Sequence, residues 1–493
     1  RDSRDSEARP VPAVSQSLVM SALSSRGPRA APIADSLAEA LARQIASGAY
    51  KAGDKLPSLR ELAQLHGYAK NTVVAAFENL VSRGLVEPRR GSGYFVRAQP
   101  KPAGARPPED DAGSLGRAMD IVWLMREQLK TEPDAVAVGD GFPPVEWLAD
   151  VRLDKYHPKV VRTGLGALFR YGSRFGYGPL REHLVRKLAD FGIGAEPRQI
   201  VLTHGANEAM DIVIRYFVPP GGKVLVDDPG YYPLFGKLKL AGAQMLAVPR
   251  LADGPDLEVL EQLLVAERPR LFFTQSLAHN PTGSDISPAK AFRVLQLAQK
   301  HDLLIVENDP LADFKPTALP RLAALDQLER TIYIGSFSKS FSAALRVGFV
   351  ACGADLASDL ADLKALIHVS SSEYAERTVD VILSEGHYQR HLNRLQNRLG
   401  EATREALRFF DAVGAEVFAR SPQSLYVWAA LPGVADSLAF ARELLPRRIV
   451  MAPGRIFSVD STQVSRWSRF NVGAMADPRF AKAMRATLKR MGG

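Results

Sequence analysis

Four short segments between residues 204 and 346 carry side chains suited to one piece of chemistry. Ser336-Phe337-Ser338-Lys339, followed by Arg346, lies just after an apolar run that reads as a strand. Two hydroxyls, a lysine and an arginine at a strand end can grip a phosphate and offer an amine to an aldehyde. Ser-rich loops carrying a lysine are common, so this segment alone leaves the reading open. Gly205-Ala206-Asn207 opens a helix after a strand, where backbone amides can cap a phosphate. Asp228-Pro229-Gly230-Tyr231 places an aromatic after another strand, able to stack on a planar ring. Asn280-Pro281-Thr282-Gly283 is a turn after a third.

A second set of residues stands near the N-terminus. Arg60, Lys70, Asn71, Thr72, Arg89, Arg90 and Ser92 fall within residues 30–98, which hold 9 basic and 6 acidic groups. That excess permits nucleic-acid binding without proving it.

The elements that must position this second set read as three helices and a hairpin. Ile33, Leu37, Leu41 and Ile45 recur every four residues, one face of a helix, which Gly48 and Gly53 end. Ser58 and Glu61 have capping-box spacing at the start of a second helix, with Leu59, Leu62 and Ala63 inward. After the turn His66-Gly67-Tyr68, a third helix carries the stripe Val73, Val74, Phe77, Leu80 and Val81, and Gly84 ends it. Strands Leu85–Pro88 and Tyr94–Val96 flank a basic turn, Arg89 to Gly93. This order describes a winged helix-turn-helix, whose second paired helix enters the major groove with Lys70, Asn71 and Thr72 at its exposed start. A three-helix protein-interaction module with a solvated charged face has the same pattern.

The first set sits in an α/β module, where strand-like and helix-like segments alternate. Expected strands are Gln199–Leu202, Lys223–Val226, Arg270–Thr274, Leu303–Val306, Thr331–Gly335 and Val347–Ala351, with helices such as Asn207–Phe217 and Pro288–His301 between them. From about Ser370 the pattern is helical and then mixed, as for a smaller subdomain.

The composition excludes several classes. The 493 residues are 46 % hydrophobic and 24 % charged, so large cores can form without disulfides or a structural metal. The single cysteine, Cys352, allows no internal disulfide and reads as a small buried strand residue, which fits a reducing, cytoplasmic compartment. No Cys/His cluster has zinc-like spacing, and no metal is expected. No apolar stretch approaches the roughly 18 residues of a membrane span, and the N-terminus lacks a secretory apolar core. The chain divides into a disordered extension (1–31), the small module (32–97), a Pro- and Gly-rich linker (98–118) and the large module (119–493). It opens on Arg1, and Met20 is a candidate start.

The run from Ala52 to Val96, AGDKLPSLRELAQLHGYAKNTVVAAFENLVSRGLVEPRRGSGYFV, resembles the GntR family of bacterial winged-helix regulators. Its LPSLRELA, NTVVAAFENL, RGLV and GSGYFV elements carry the likeness. The resemblance implies DNA contacts from Arg60, Lys70, Thr72 and the wing around Ser92. Ala69 departs from it, because the family usually has Ser there, and alanine can neither cap the helix nor touch a phosphate.

The ordered series Tyr171…Gly178-Pro179-Leu180-Arg181, His204-Gly205-Ala206-Asn207, Asn280-Pro281-Thr282-Gly283, Ser336-x-Ser338-Lys339 and Arg469 resembles fold-type I, pyridoxal-phosphate-dependent aminotransferases of class I/II. The resemblance implies a Schiff base on Lys339 and a phosphate held by Ser336, Ser338, Arg346, Ala206 and Asn207. Tyr231 would stack on the ring, and Asn280 would bond its 3′ oxygen. Tyr171 would reach the partner subunit's phosphate in a homodimer, and Arg469 would grip an α-carboxylate by a bidentate fork. Glu307-Asn308-Asp309-Pro310-Leu311 departs from the family's E-D-x-x-Y. Asn308 cannot balance a protonated ring nitrogen, and Leu311 cannot donate a hydrogen bond. Asp309 is a candidate replacement, although successive strand residues point to opposite faces. The expectation is a protein that captures the cofactor and transaminates poorly.

A GntR-type head, a linker and an aminotransferase-like domain together resemble the MocR subfamily of bacterial transcription regulators. The resemblance implies a dimer that binds double-stranded operator DNA and senses pyridoxal phosphate or a small amino compound. Effector binding would shift the arrangement of the heads. Two other readings stand beside it: an active aminotransferase with a DNA-binding head, and a dimerisation scaffold that no longer takes the cofactor.

Overall fold

The computed structural model describes residues 33–98, 134–162 and 169–491, which fall into two compact units. The extension expected over 1–31, with Met20, lies outside the described residues, as does the linker expected over 98–118 apart from Ala98.

In the small unit, α1 (Ile33–Ala46), α2 (Leu59–His66) and α3 (Lys70–Ser82) precede the hairpin β1 (Val86–Arg89) and β2 (Gly93–Val96). The Ser58 hydroxyl accepts from the Glu61 amide at 3.2 Å, and Glu61 accepts from the Ser58 amide at 2.7 Å, so the capping box forms in full. Gly67, at φ +65°, turns the chain between α2 and α3. Leu37, Leu41, Leu62, Val73, Ala76, Phe77, Leu80, Val86 and Val96 make one core. Two expected core positions differ. Ile33 is 50 % exposed because it opens its helix, and Ala76 rather than Val74 completes the α3 stripe.

The large unit is built on an eight-stranded sheet in the order β3-β10-β9-β8-β7-β4-β5-β6. Its strands are β3 (Ile200–Thr203), β4 (Lys223–Asp228), β5 (Gln244–Leu251), β6 (Gly254–Pro255), β7 (Leu271–Thr274), β8 (Leu304–Asp309), β9 (Thr331–Ser336) and β10 (Gly348–Ala351). The five strands from β9 across to β5 run parallel, and β10 is antiparallel to both neighbours. The six expected strands all form, with β8 running on to Asp309. β5 and β6 were not expected. Cys352 is buried one residue past β10.

Alternation along the strands fills two cores. Val224, Val226, Leu271, Phe273, Val306, Ile332 and Ile334 pack on one face. Leu225, Phe272 and Ile305 pack on the other. Among the helices that follow, α4 (Gly205–Phe217), α5 (Tyr232–Leu240) and α6 (Pro288–Lys300) cover the sheet, and the 26-residue α7 (His387–Ala412) leads into the C-terminal part. There β11 (Glu416–Val417), β12 (Tyr426–Ala430), β13 (Ala452–Pro453) and β14 (Trp467–Asn471) form a four-stranded antiparallel sheet, order β11-β12-β14-β13. Leu395, Leu399, Ala402, Ala406 and Phe410 of α7 line its core at helical spacing, so the expected subdomain is present. No described helix is long and apolar enough to cross a membrane.

Candidate functional site

The carboxyl ends of the parallel strands meet at one place, where open α/β sheets commonly bind ligands. A cavity of about 90 Å³ there is lined by Ala206 and Asn207 from α4, Tyr231 before α5, and Asn280. Asn308 closes it from β8, and Ser336, Ser338, Lys339 and Arg346 close it from the end of β9 and the segment after it. Nine side chains spread over more than 140 positions of sequence thus share one wall. A neighbouring cavity of about 930 Å³ shares Asn207, Tyr231, Asn280, Lys339 and Arg346 and adds Arg469. Tyr171 lines neither and is 82 % exposed.

Lys339 is positioned by a carbonyl and a ring. Its ammonium donates to the Gly141 carbonyl and stands 4.2 Å from the centroid of Phe142. Burial, together with the Arg469 guanidinium, brings its pKa down to about 7, while Asp140 opposes the shift. An amine half-unprotonated near neutral pH is a competent nucleophile toward an aldehyde.

The anion end is also built. α4 begins at Gly205, and its first amides have no intrahelical partners. Arg346 turns its guanidinium toward this terminus, with Nη2 donating to the His204 carbonyl at 2.9 Å. Gly205 sits at φ +75°, and a Cβ there would come within 2.8 Å of Arg346 Nη2, so only glycine allows this approach. The Ser338 amide donates to the Ser336 hydroxyl at 3.2 Å, which folds the hydroxyl segment back on itself.

At the far end the chemistry is neutral. Alternation along β8 puts Asn308 on the same face as Val306, where Asn308 lines the cavity, and puts Glu307 and Asp309 on the other face. Asp309 Oδ2 accepts from Arg321 Nε at 2.7 Å and from the Tyr333 hydroxyl at 3.1 Å. The candidacy of Asp309 as a replacement counter-charge therefore fails on direction. Leu311 lines the cavity in place of a hydroxyl. The Asn308 and Asn207 Oδ1 atoms are buried without partners among the described residues, so both amides remain free to meet a ligand.

Arg469, on β14, is 1 % exposed and lies between the rings of Tyr426 and Phe457, at 4.7 Å and 4.9 Å. Its Nη1 donates to Asn280 Oδ1 at 2.8 Å and its Nη2 to the Gly139 carbonyl at 2.5 Å, while Nε has no partner among the described residues. Gly283, three residues after Asn280 in the same turn, has φ +69°, and a Cβ there would meet the Tyr426 carbonyl at 2.2 Å. That contact seats the turn against β12.

Sequence reasoning missed the segment Gly139-Asp140-Gly141-Phe142, which touches both Lys339 and Arg469. Two glycines flanking an acid were its one visible signal. It also missed the buried group of Asp227, Arg250 and His279. There Thr274 Oγ1 donates to Asp227 at 2.7 Å, and His279 Nε2 lies 3.4 Å from the same carboxylate. Burial and Arg250 push His279 down to about 4, so this histidine is neutral.

In the small unit, Arg60, Lys70, Asn71, Arg89, Arg90 and Ser92 are exposed and Thr72 is half-buried. The α3 N-cap is Ala69, with no side-chain hydrogen bond. Arg89 does not extend freely. Its Nε and Nη2 donate to Glu87 Oε1 at 3.1 Å and 2.9 Å, and its guanidinium lies 4.3 Å over Phe95.

Residues 33–96 match the gntR family of bacterial regulatory proteins, and residues 156–486 match the aminotransferase class I and II family. The chain is 31 % identical over 441 residues to an uncharacterised HTH-type transcriptional regulator, YjiR of Escherichia coli, covering 86 % of this chain and 91 % of that one. It is 29 % identical over 380 residues to a probable rhizopine catabolism regulatory protein, MocR of Rhizobium meliloti, covering 75 % of each. Among solved structures it resembles the α-aminoadipate aminotransferase LysN of Thermus thermophilus, complexed with N-(5'-phosphopyridoxyl)-L-leucine. That match has TM-score 0.68 and 25 % identity, and covers 74 % of this chain and 95 % of the other.

Proposed function

The chain belongs to the aminotransferase class I and II family and carries a gntR-family regulatory head, and on that premise we propose a DNA-binding transcription regulator that takes pyridoxal phosphate on Lys339 and senses an amino compound there. The observation that carries this reading is the meeting of Lys339, Arg346, Asn207 and Asn308 around one cavity.

The residues present fit the cofactor. When bound, it supplies an aldehyde for an amine to condense with and a ring that withdraws electrons. Lys339, near neutrality at its side-chain nitrogen, provides the amine. Arg346 and the free amides of α4 would hold the phosphate. Tyr231 would pack beside the ring, and Arg469 would take an α-carboxylate through its unused N–H groups. Asn308 supplies no negative charge to the ring nitrogen and Leu311 no hydrogen bond. The large unit is therefore suited to capturing an amino compound more than to converting it. This weighs against the reading as a working aminotransferase.

The head supplies the output. α3 presents Lys70, Asn71 and Thr72 to the major groove, Arg60 flanks it, and the β1–β2 turn offers Arg90 and Ser92 to the backbone. A homodimer explains Phe169, Tyr171 and Leu366, which are 80, 82 and 84 % exposed on a single chain. Tyr171 then serves the phosphate of the second copy.

The test is the visible spectrum of the purified protein with and without added pyridoxal phosphate. The reading expects a band that borohydride removes and that Lys339→Ala lacks. It also expects a change in affinity for duplex DNA when an effector amine alters the band. No band at any cofactor concentration overturns it and leaves a DNA binder on an aminotransferase scaffold.

A further inference from the structure

We propose that Asp140 makes the effector cavity selective for an amino acid bearing a second, cationic group. This rests on the reading of the large unit as a sensor of amino compounds.

Asp140 lies on the wall of the 930 Å³ cavity. It stands between Gly139, whose carbonyl accepts from Arg469, and Gly141, whose carbonyl accepts from Lys339. Arg469, which would receive an effector's carboxylate, and Lys339, which would carry the cofactor, therefore flank it. The Gly141 amide donates to Asp140 Oδ1 at 2.5 Å, which anchors the carboxyl at this turn.

The charges of the cavity do not cancel. Arg346 answers the cofactor phosphate, and Arg469 answers an α-carboxylate. Arg152 is already paired with Asp154 at 2.7 Å. Lys339 is engaged by the cofactor in the loaded protein, so it is not the partner of Asp140 there. Asp140 has no ion-pair partner among the described residues. Burial raises its pKa, and the Gly141 amide bond, then Lys339 and Arg469, only partly offset that. An apolar side chain placed here would strip water from this carboxyl without compensation. A second carboxylate would be repelled. A second ammonium would complete the pair, so the favoured class is a diamino monocarboxylic acid.

The experiment uses the full chain loaded with pyridoxal phosphate and titrates L-ornithine, L-lysine, L-norleucine and L-2-aminoadipate. The readout is the midpoint of the change in the cofactor band, with the thermal unfolding midpoint as a second measure. The expected result is half-saturation by lysine or ornithine at a concentration at least about tenfold lower than norleucine, the scale of one well-placed charge pair. In Asp140→Asn, which keeps the bond from the Gly141 amide, that gap closes. Equal midpoints for lysine and norleucine in the unaltered protein overturn the proposal without any variant. So does a preference for lysine that survives Asp140→Asn. Response to norleucine or 2-aminoadipate alone leaves amino-compound sensing standing and removes the role of Asp140. An intact cofactor band that none of the four changes removes the sensing reading, and the proposal with it.

Discussion

Asp309 and Arg321 form a buried ion pair, with Oδ2 2.7 Å from Nε, one residue along β8 from the amide that faces the cofactor cavity. The Arg321 guanidinium also lies 4.0 Å over Phe191 and donates to the Ala312 carbonyl at 3.2 Å. The strand thus separates two functions by parity. Glu307 and Asp309 make buried bonds within the fold, and Asn308 between them lines the cavity.

Removing one member of that pair leaves the other charged and dry. Arg321→Ala should destabilise the large unit by about 3–5 kcal/mol, as for other broken buried pairs. Replacing both residues by apolar ones of similar volume should recover much of the loss. Urea unfolding followed by tryptophan fluorescence measures both, and an unchanged midpoint in Arg321→Ala contradicts the prediction.

On the proposed reading, Asn308 and Leu311 would separate this cavity from one built for transamination. Restoring the acid and the hydroxyl together, as Asn308→Asp with Leu311→Tyr, should raise conversion of an amino acid to its keto acid by at least about tenfold. Cofactor affinity should change less, because Lys339 and Arg346 are untouched. Single-turnover formation of keto acid checks it. A double variant no faster than the parent would place the block elsewhere.

What was legible in the sequence was local. Ser336, Ser338, Lys339 and Arg346 share one strand-to-loop segment, and the Ser58–Glu61 capping box spans four residues. Such signals are set by near neighbours and survive without tertiary knowledge. Asp140 was silent because its meaning comes from Lys339 and Arg469, each about 200 or more positions away in the chain and brought close only by the fold. The short edge strand β6, two residues long, carries no periodicity to read. The departure at Asn308 was visible, and its consequence depended on which way Asp309 points.

Lys339 should make cofactor capture depend on pH. The unprotonated amine condenses with the aldehyde, and its fraction grows as pH rises through about 7. The association rate for pyridoxal phosphate should therefore climb from pH 6 to pH 8 and then level off. Arg469 contributes to the depression of this group, so Arg469→Gln should move the midpoint upward. Stopped-flow absorbance at a series of pH values measures it. A rate that is flat from pH 6 to pH 8 contradicts the assignment.

Ala69 leaves α3 without a side-chain cap at the end that would approach DNA. Ala69→Ser should stabilise the small unit by about 1 kcal/mol and add a hydroxyl within reach of a phosphate. Thermal unfolding and fluorescence anisotropy, on a duplex selected by the protein from a random-sequence library, should both improve. Greater stability with no gain in affinity would mean that the start of α3 does not touch the backbone.

The wing offers its two arginines unequally. Arg90 has no partner among the described residues, whereas Arg89 is held by Glu87 and Phe95. Arg90→Ala should weaken binding similarly across duplex sequences and reduce the slope of log affinity against log salt by about one, the signature of one lost phosphate contact. Glu87→Gln removes the competitor for Arg89, so it should strengthen binding. The gain is at most about fivefold, because an exposed pair is worth only about 0–1 kcal/mol. If Arg89 instead serves to stiffen the hairpin through Phe95, Glu87→Gln leaves affinity unchanged and Phe95→Leu lowers it. Anisotropy titrations of the three variants at several salt concentrations separate the two roles, since only a direct phosphate contact changes the salt slope.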